Sequence, residues 1–134
     1  MNSKKRSDCP ISSSLDIWGD KWSLLIIRDL MFAKECTYGD FLKSPEGIAT
    51  NILASRLKDL EENGVIEKLN HPESKAKVLY RLTKKGIDLL PIMIEINLWA
   101  EKYCSIPADR KAMLKEVKKD KAAFIKSMTK ELTR

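Results

Sequence analysis

The polar side chains between residues 49 and 62 are of the types that hydrogen-bond to the edges of bases. At about 100° per residue, a helix over this stretch has one polar face, formed by Thr50, Asn51, Ser55 and Lys58. The opposite face is apolar and consists of Ala49, Leu53, Leu57 and Leu60. An asparagine amide can pair with adenine, hydroxyl groups bond several base edges, and a lysine reaches guanine or phosphate. The pattern is typical either of a base-reading helix or of an amphipathic helix with an ordinary solvated face.

A second group of side chains could hold phosphates beside that helix. It consists of Arg56, His71, Lys75 and Lys77. The last three lie at or near the tip of a predicted hairpin, where cations suit the phosphate backbone or the minor groove and add affinity more than sequence information. The alternative is a solvated turn that contacts nothing. A catalytic or metal-binding role for His71 is disfavoured because no second ligand or base accompanies it.

Cys9 is the third feature with chemistry of its own. It directly precedes Pro10 at a predicted helix start, and a run of cations, residues 4–6, lies just upstream. A helix N-terminus and nearby cations both stabilise the thiolate, which is the reactive form of cysteine. Cys9 is therefore either a redox-sensing residue or an inert, partly buried thiol. Cys36 and Cys104 are predicted to be structural.

Caps and helix breakers between residues 37 and 86 arrange these groups in space. They are Thr37, Asp40, Pro45, Gly47, the pair Asn63-Gly64, the tip 71–74 and Thr83. Thr37 and Asp40 can form a capping box, Pro45 cannot continue a helix, and glycine suits a left-handed helix end. From residue 65 the period changes to alternation, which predicts strands over 65–70 and 78–83. The order is that of a winged helix-turn-helix: a mainly α fold with a small β-hairpin wing (α+β).

Helices are also predicted on both sides of this segment. Two helices, Pro10–Trp18 and 21–32, precede it, and a helix over 84–104, kinked near Pro91, follows. One stripe of the long helix consists of Ile87, Leu90, Ile94 and Leu98. Because a helix apolar over much of its circumference needs partners on two sides, this stripe is predicted to form a homodimer interface. The amphipathic helix over 107–134 could pack within the dimer, swap onto a partner or lie on an acidic surface.

Length and charge limit the organisation further. A chain of 134 residues fits one domain. Its expected parts are a mobile arm (1–8), N-terminal helices (10–36), the helix-turn-helix (37–63), the wing (65–83), a dimerisation helix (84–104) and a C-terminal amphipathic helix (107–134). The net charge is +6, but residues 1–105 carry sixteen basic and fifteen acidic side chains. The excess lies on residues 106–134, so DNA affinity must come from a few placed side chains.

Composition argues against several other classes of protein. No apolar run approaches the roughly 18 residues of a membrane span, and no signal peptide follows Met1. We therefore expect a cytoplasmic protein with no membrane partner. Three cysteines and one histidine do not suggest a disulfide framework or a metal site. No nucleophile–base pair or phosphate-binding loop is visible, so neither a cofactor nor an enzymatic activity is expected.

Several segments in the same order resemble the HxlR-type bacterial transcriptional regulators. They are CPISSSLDIWGDKWSLLIIRDLMF, FLKSPEGIATNILASRLKDLEENGVI, VLYRLTKKGIDLLPI and INLWA, within about residues 9–102. The resemblance implies a dimeric winged helix-turn-helix that binds pseudo-palindromic operator DNA through an interface of terminal helices. Some members sense oxidants or electrophiles through a cysteine at the position of Cys9. The wing tip NHPESKAKVLY lacks the proline-and-arginine turn common in the family, and the segment beyond Pro107 is longer than in many members.

The leading hypothesis is a cytoplasmic homodimer that binds double-stranded operator DNA and represses transcription by occluding promoters. One alternative is a ligand-responsive regulator with an apolar pocket near the dimer interface. Another is a protein-interaction winged-helix module without an operator. The residues identify no small-molecule effector.

Overall fold

The computed structural model describes residues 6–134, and within them it contains eight helices and three strands. The helices are α1 (Pro10–Trp18), α2 (Lys21–Ala33), α3 (Tyr38–Leu42), α4 (Thr50–Glu62), α5 (Lys84–Ile87), α6 (Leu90–Tyr103), α7 (Ala108–Lys119) and α8 (Lys121–Thr133). The strands are β1 (Cys36–Thr37), β2 (Ile66–His71) and β3 (Ser74–Leu82). Of the expected mobile arm, residues 1–5 lie outside the described part of the chain.

The chain divides into two compact units, one ending at Gly86 and the other beginning at Ile87. The first contains the helix-turn-helix and the hairpin, and the second contains α6, α7 and α8. The expectation of a single domain over all 134 residues stays a prediction.

The first unit is built around a small antiparallel sheet in the order β1-β3-β2. The short strand β1 pairs Cys36 with Tyr80 and Thr37 with Leu79. This strand was not predicted, because two residues are too few for alternation to show. The mainly helical class with a hairpin is confirmed.

The hairpin is longer on its second strand than predicted. β3 begins at Ser74 rather than at residue 78, so the tip is only Pro72 and Glu73. Ser74 pairs with His71, whereas Val78 pairs with Asn70, so residues 75–77 bulge out of the ladder. Periodicity missed this part of the strand because its side chains do not alternate between buried and exposed.

The prediction of one kinked helix over residues 84–104 is wrong, because this segment forms two separate helices. α5 ends at Ile87, and α6 begins at Leu90 with Pro91 in its first turn. Proline lacks an amide hydrogen, and the first turn of a helix is where that hydrogen has no carbonyl partner in any case. A helix start at Pro91 therefore leaves fewer groups unpaired than a kink would.

The single helix expected beyond Pro107 is also wrong. Asp120 is extended (φ −160°, ψ 93°) and separates α7 from α8. Its carboxylate accepts a hydrogen bond from the Ala123 amide at 3.0 Å and so caps α8. Because aspartate is a preferred N-cap residue, it can start a new helix inside a run of good helix formers.

The second unit buries its own small core. Ile94 of α6 and Leu114 and Val117 of α7 are almost fully buried. Lys118 pairs with Glu101 at 2.5 Å, and Lys121 of α8 pairs with Glu95 of α6 at 2.6 Å. These contacts attach the C-terminal helices to α6.

The junctions of the first unit mostly match the sequence prediction. Thr37 and Asp40 form the complete capping box. Gly47 (φ +70°) and Gly64 (φ +73°) adopt the left-handed conformation that glycine tolerates. Thr83 caps α5, because its hydroxyl oxygen accepts a hydrogen bond from the Gly86 amide at 3.3 Å.

Gly86→Ala is expected to lower the free energy of unfolding by about 1–3 kcal/mol, as overpacking does. Gly86 is buried, and an added Cβ would collide with the Val65 carbonyl and lie 2.9 Å from a methyl group of Leu82. Urea unfolding followed by circular dichroism measures the change. The matched control is Gly39→Ala, where the nearest atom to the new methyl is the Thr37 hydroxyl at 3.8 Å. Equal stability of the two variants would contradict this view of the packing.

Candidate nucleic-acid interface

Helix α4 presents the polar face that the sequence predicts. Leu53, Leu57 and Leu60 are buried, and α4 packs against α2. The four base-reading candidates Thr50, Asn51, Ser55 and Lys58 are all exposed. The prediction that Ala49 lies on the buried face is wrong, because Ala49 precedes the helix as its N-cap and is exposed.

The turn that leads into α4 is attached to α2 by ion pairs. The Arg28 guanidinium donates to both carboxylate oxygens of Glu46, at 2.6 and 2.9 Å, and also to Asp29 at 2.8 Å. The other oxygen of Asp29 accepts a hydrogen bond from the Ser44 hydroxyl at 2.5 Å. The hydrogen bonds from Arg28 lower the pKa of Glu46 below its usual value. A bidentate arginine–carboxylate pair fixes direction as well as distance, so these contacts set the path of the turn.

Tyr38 of α3 provides a second attachment for α4. Its hydroxyl donates to the main-chain carbonyl of Thr50 at 2.7 Å. The first turn of α4 is thereby held to α3. No local sequence signal indicates this role for Tyr38, because its partner lies twelve residues further along the chain.

Arg56, a predicted phosphate ligand, is held within the protein. Its Nε donates to Asp20 at 3.0 Å, and its Nη1 lies 3.5 Å from the Ser55 hydroxyl and 4.0 Å from Asp59. Asp20 lies between α1 and α2, 36 positions earlier in the chain. Sequence spacing gave no signal for this pair.

The three predicted phosphate ligands of the wing differ in their surroundings. Lys75 and Lys77 are exposed in the bulged part of β3. His71 is half-buried, and its Nδ1 accepts a hydrogen bond from the Glu73 amide at 3.1 Å. The lysine ammonium groups therefore face solvent, while the imidazole also stabilises the turn.

A cleft of about 370 Å³ lies between α3 and β3. Its lining includes Lys43, which sequence analysis did not select, together with Lys77 and Asp40. Hydrogen bonds from Thr37, the amide first, lower the pKa of Asp40, and the charges of Lys43 and Lys77 add to this effect. The cleft thus brings Lys43 and Lys77 together beside the helix-turn-helix. The ionised carboxylate of Asp40, which belongs to the capping box of α3, lies in the same cleft.

The three cysteines lie in different environments. Cys9 is exposed and is the N-cap residue of α1. Cys36 is buried, as a structural role requires, and burial raises the pKa of its thiol to about 12, with Asp29 and Asp40 adding to the shift. Cys104, also expected to be structural, is instead exposed at the end of α6.

The candidates for a dimer interface lie mainly inside the chain. Ile87, Leu90 and Ile94 are buried, and Leu98 is half-buried. The exposed apolar residues of α6 lie on another face, which we call the outer face of α6 and which consists of Ile92, Ile96, Trp99 and Tyr103. The ring centroids of Trp99 and Tyr103 lie 5.1 Å apart, and a shallow, open depression of about 440 Å³ lies beside Pro91. Large exposed patches of this kind mark interaction sites.

Two further observations concern other classes of site. Within residues 6–134, no three His, Cys, Asp or Glu side chains are placed to hold a metal ion. No helix in the same part of the chain has the length and apolar character needed to cross a membrane.

Comparison with known proteins adds independent information. Residues 17–107 match the family described as HxlR-like helix-turn-helix, and the match ends one residue before α7. The chain is 35% identical over 102 residues to the HTH-type transcriptional regulator YodB of Bacillus subtilis (strain 168), covering 75% of this chain and 89% of YodB.

Solved structures agree in fold. The crystal structure of PA1607 has a TM-score of 0.67 and 43% identity, covering 78% of this chain and 71% of PA1607. The redox regulator HypR in its oxidised form has a TM-score of 0.64 and 26% identity, covering 73% of this chain and all (100%) of HypR. YodB itself has been solved in reduced, diamide-treated and quinone-bound forms.

The family match covers the capped helices, the turn, α4 and the wing, which are the segments that arrange the polar face described above. YodB is a transcriptional regulator and HypR a redox regulator. The chain therefore belongs to the HxlR-like helix-turn-helix family and is a transcriptional regulator.

Proposed function

We propose that the protein is a homodimeric repressor that binds a pseudo-palindromic operator in the cytoplasm. The observation that carries the proposal is the exposed polar face of α4, next to a wing with two exposed lysines. Two such helices in a dimer would enter successive major grooves about 34 Å apart. Occupation of a promoter by this dimer would exclude polymerase.

The side chains of α4 and those of the wing make different kinds of contact with DNA. Asn51, Ser55 and Lys58, with Thr50 at the flank, read base edges in the major groove. Lys75 and Lys77 hold phosphates and give affinity with little sequence information. His71 is half-buried in the turn and contributes to DNA binding by stabilising the turn of the wing, through the hydrogen bond that its Nδ1 accepts from the Glu73 amide.

Dimerisation involves the outer face of α6. Trp99 is 62% exposed and Tyr103 69% exposed, which is unusual for large aromatic side chains in an isolated chain. Aromatic residues are enriched at the centres of protein interfaces. The apolar stripe inferred from sequence is already buried, so the second protomer covers the opposite stripe of the same helix.

Cys9 is the proposed site of redox control. It is exposed at the start of α1, and this chain is similar to YodB, which has been solved with quinone bound. The thiolate sulfur of Cys9 adds to a ring carbon of the quinone, so that a C–S bond forms while a ring C=C π bond breaks. The resulting enolate oxygen takes one proton from solvent, and the hydrogen of the attacked carbon moves to the other oxygen, which leaves a hydroquinone thioether. One thiol and one quinone are consumed. The changed residue alters the spacing of the two reading helices and releases the operator.

A ligand-responsive regulator is the second candidate. A shallow, open apolar depression of about 440 Å³ on the outer face of α6, lined by Pro91, Ile92, Glu95, Ile96 and Trp99, is where such an effector could bind. An apolar effector bound there would change how two protomers meet. A winged-helix module that binds proteins without an operator is distinguished by sedimentation with and without duplex DNA.

Asn51→Ala is expected to weaken operator binding by about 1–3 kcal/mol for each half-site, the value of a bidentate amide–base pair, and to leave unrelated DNA unaffected. Binding is measured by fluorescence anisotropy on a duplex that the wild type selects from a random pool and on a shuffled duplex. The matched variant Lys75→Ala should weaken binding to both duplexes. It should also reduce the slope of log affinity against log salt concentration (the salt slope) by about 1.8 per dimer, because each phosphate contact contributes about 0.9. Wild-type behaviour of both variants would show that these roles are misassigned.

Trp99→Gln is expected to shift the protein from dimer to monomer, because an exposed apolar side chain on the outer face of α6 is replaced by a polar one. Sedimentation velocity at micromolar concentration measures the change. Lys102→Gln is the control: it creates the same residue three positions further along α6, at an exposed but polar site. Persistence of the dimer in both variants would place the interface elsewhere.

Cys9→Ser is expected to keep operator binding in the presence of benzoquinone or diamide, whereas the wild type loses it. Diamide oxidises two thiols to a disulfide and is itself reduced to the hydrazine, so it tests oxidation, while the quinone tests addition to one thiol. Cys104→Ser is the matched control, since Cys104 is the other exposed cysteine of the described chain. Equal release from wild type and Cys9→Ser would refute the assignment, and loss of the response only in Cys104→Ser would transfer it to that thiol.

A further inference from the structure

Asp20 collects hydrogen bonds at the corner between α1 and α2. Its carboxylate accepts from the Ser23 amide at 2.9 Å, the Ser23 hydroxyl at 2.6 Å and the Arg56 Nε at 3.0 Å. Burial by itself raises the pKa of Asp20, but the hydrogen bonds from Ser23 and Arg56 outweigh it, and the pKa lies below its usual value. The carboxylate is therefore ionised at neutral pH.

Neighbouring residues pack closely at the corner that carries Asp20. Gly19 lies against the last turn of α1, and a Cβ at this position would come within 2.5 Å of the Leu15 carbonyl oxygen. Ser23, which binds the carboxylate on its inner side, is 1% exposed. One side of the carboxylate is therefore hydrogen-bonded to a buried residue, and the Asp20 side chain as a whole is 39% exposed.

Arg56 reaches the Asp20 carboxylate from α4. Its side chain is 32% exposed, and two carboxylates, Asp20 and Asp59, lie within 4.0 Å of it. Its Nη1 is also directed towards the Ser55 hydroxyl, at 3.5 Å. A phosphate would therefore compete with these carboxylates for the guanidinium, and any movement of Arg56 away from Asp20 would leave that partly buried charge without its cation, which is unfavourable.

We infer that Arg56 is a positioning residue for α4 and not a phosphate ligand, and that Asp20 is thereby a determinant of operator specificity although it lies outside the helix-turn-helix. The pair refines the orientation that the buried leucines give α4 relative to α2, and it orients Ser55 on the polar face of α4. The Arg28–Glu46 pair attaches the turn before α4 to α2, and the Asp20–Arg56 pair attaches the second turn of α4 itself. This inference rests on the proposed operator binding.

A double-mutant cycle tests it. Asp20→Asn removes the charge but keeps an equally good N-cap for α2, and Arg56→Gln removes the guanidinium. Each variant should lower affinity for the selected operator duplex by a factor of about 5–50, because the hydrogen bonds to bases lose their alignment. The double variant should be no weaker than either single variant. Affinity for the shuffled duplex and the salt slope should stay at the wild-type values.

The opposite result has a distinct signature. If Arg56 binds phosphate, Arg56→Gln lowers affinity for both duplexes by the same factor and lowers the salt slope by about 1.8 per dimer. In that case Asp20→Asn binds both duplexes more tightly than the wild type. That outcome overturns the inference and leaves the proposed function intact, whereas a wild-type protein that prefers no duplex overturns the proposed function itself.

Asp120→Asn is the matched control, because Asp120 is also an N-cap aspartate, accepting from the Ala123 amide in the second unit. It should bind operator as the wild type does. Circular dichroism and thermal unfolding of every variant establish that binding is compared between folded proteins. An unfolded Arg56→Gln would be replaced by Arg56→Lys, which keeps the charge but loses the guanidinium geometry: a positioning role predicts lost discrimination, and a phosphate role predicts rescue.

Discussion

Burial of one face of α4 is the constraint on which the rest of the reading surface depends. Leu53, Leu57 and Leu60 are 0%, 2% and 0% exposed, and each such side chain contributes about 1.5–3 kcal/mol when fully buried. Rotation of α4 about its axis would expose them and cost more than any single hydrogen bond on the polar side returns. At 3.6 residues per turn, the same burial turns the polar side chains of α4 to solvent.

Charged side chains then refine what the leucines determine only coarsely. Arg28, Arg56 and Arg81 are engaged with carboxylates of the same unit, at 2.6, 3.0 and 2.7 Å. Partly exposed ion pairs contribute little to stability, so their main effect is on orientation. The planar guanidinium suits such fixed pairs, while the flexible ammonium of lysine suits a phosphate met as a point charge. Residues 1–105 carry sixteen basic and fifteen acidic side chains. Cations are still available for DNA because these arginines are paired with carboxylates of the protein, while Lys75 and Lys77 stay exposed.

Local signals account for the parts of the fold that sequence predicts well. The capping box at Thr37, the left-handed glycines 47 and 64 and the cap at Thr83 act within a few residues of themselves, so α3, the turn and α4 lie close to where they were expected. Prediction failed where local rules allow two outcomes. Pro91 can kink a helix or start one, Asp120 can sit on a helix surface or cap a new helix, and the exposed residues 75–77 carry no alternation that would reveal a bulged strand.

The sequence by itself determined the order of elements in the first unit, the inward face of α4 and the chemistry displayed on its other face, because caps, breakers and periodicity are properties of neighbouring residues. Only the tertiary structure decided which cations remain exposed and which apolar stripe remains uncovered. Arg56 meets Asp20 across 36 positions of the chain, and no spacing rule connects them. Helix α6 is apolar on two sides, so packing decides that Ile94 is buried while Trp99 stays exposed. Both outcomes depend on contacts between distant segments, and those contacts exist only once the chain has folded.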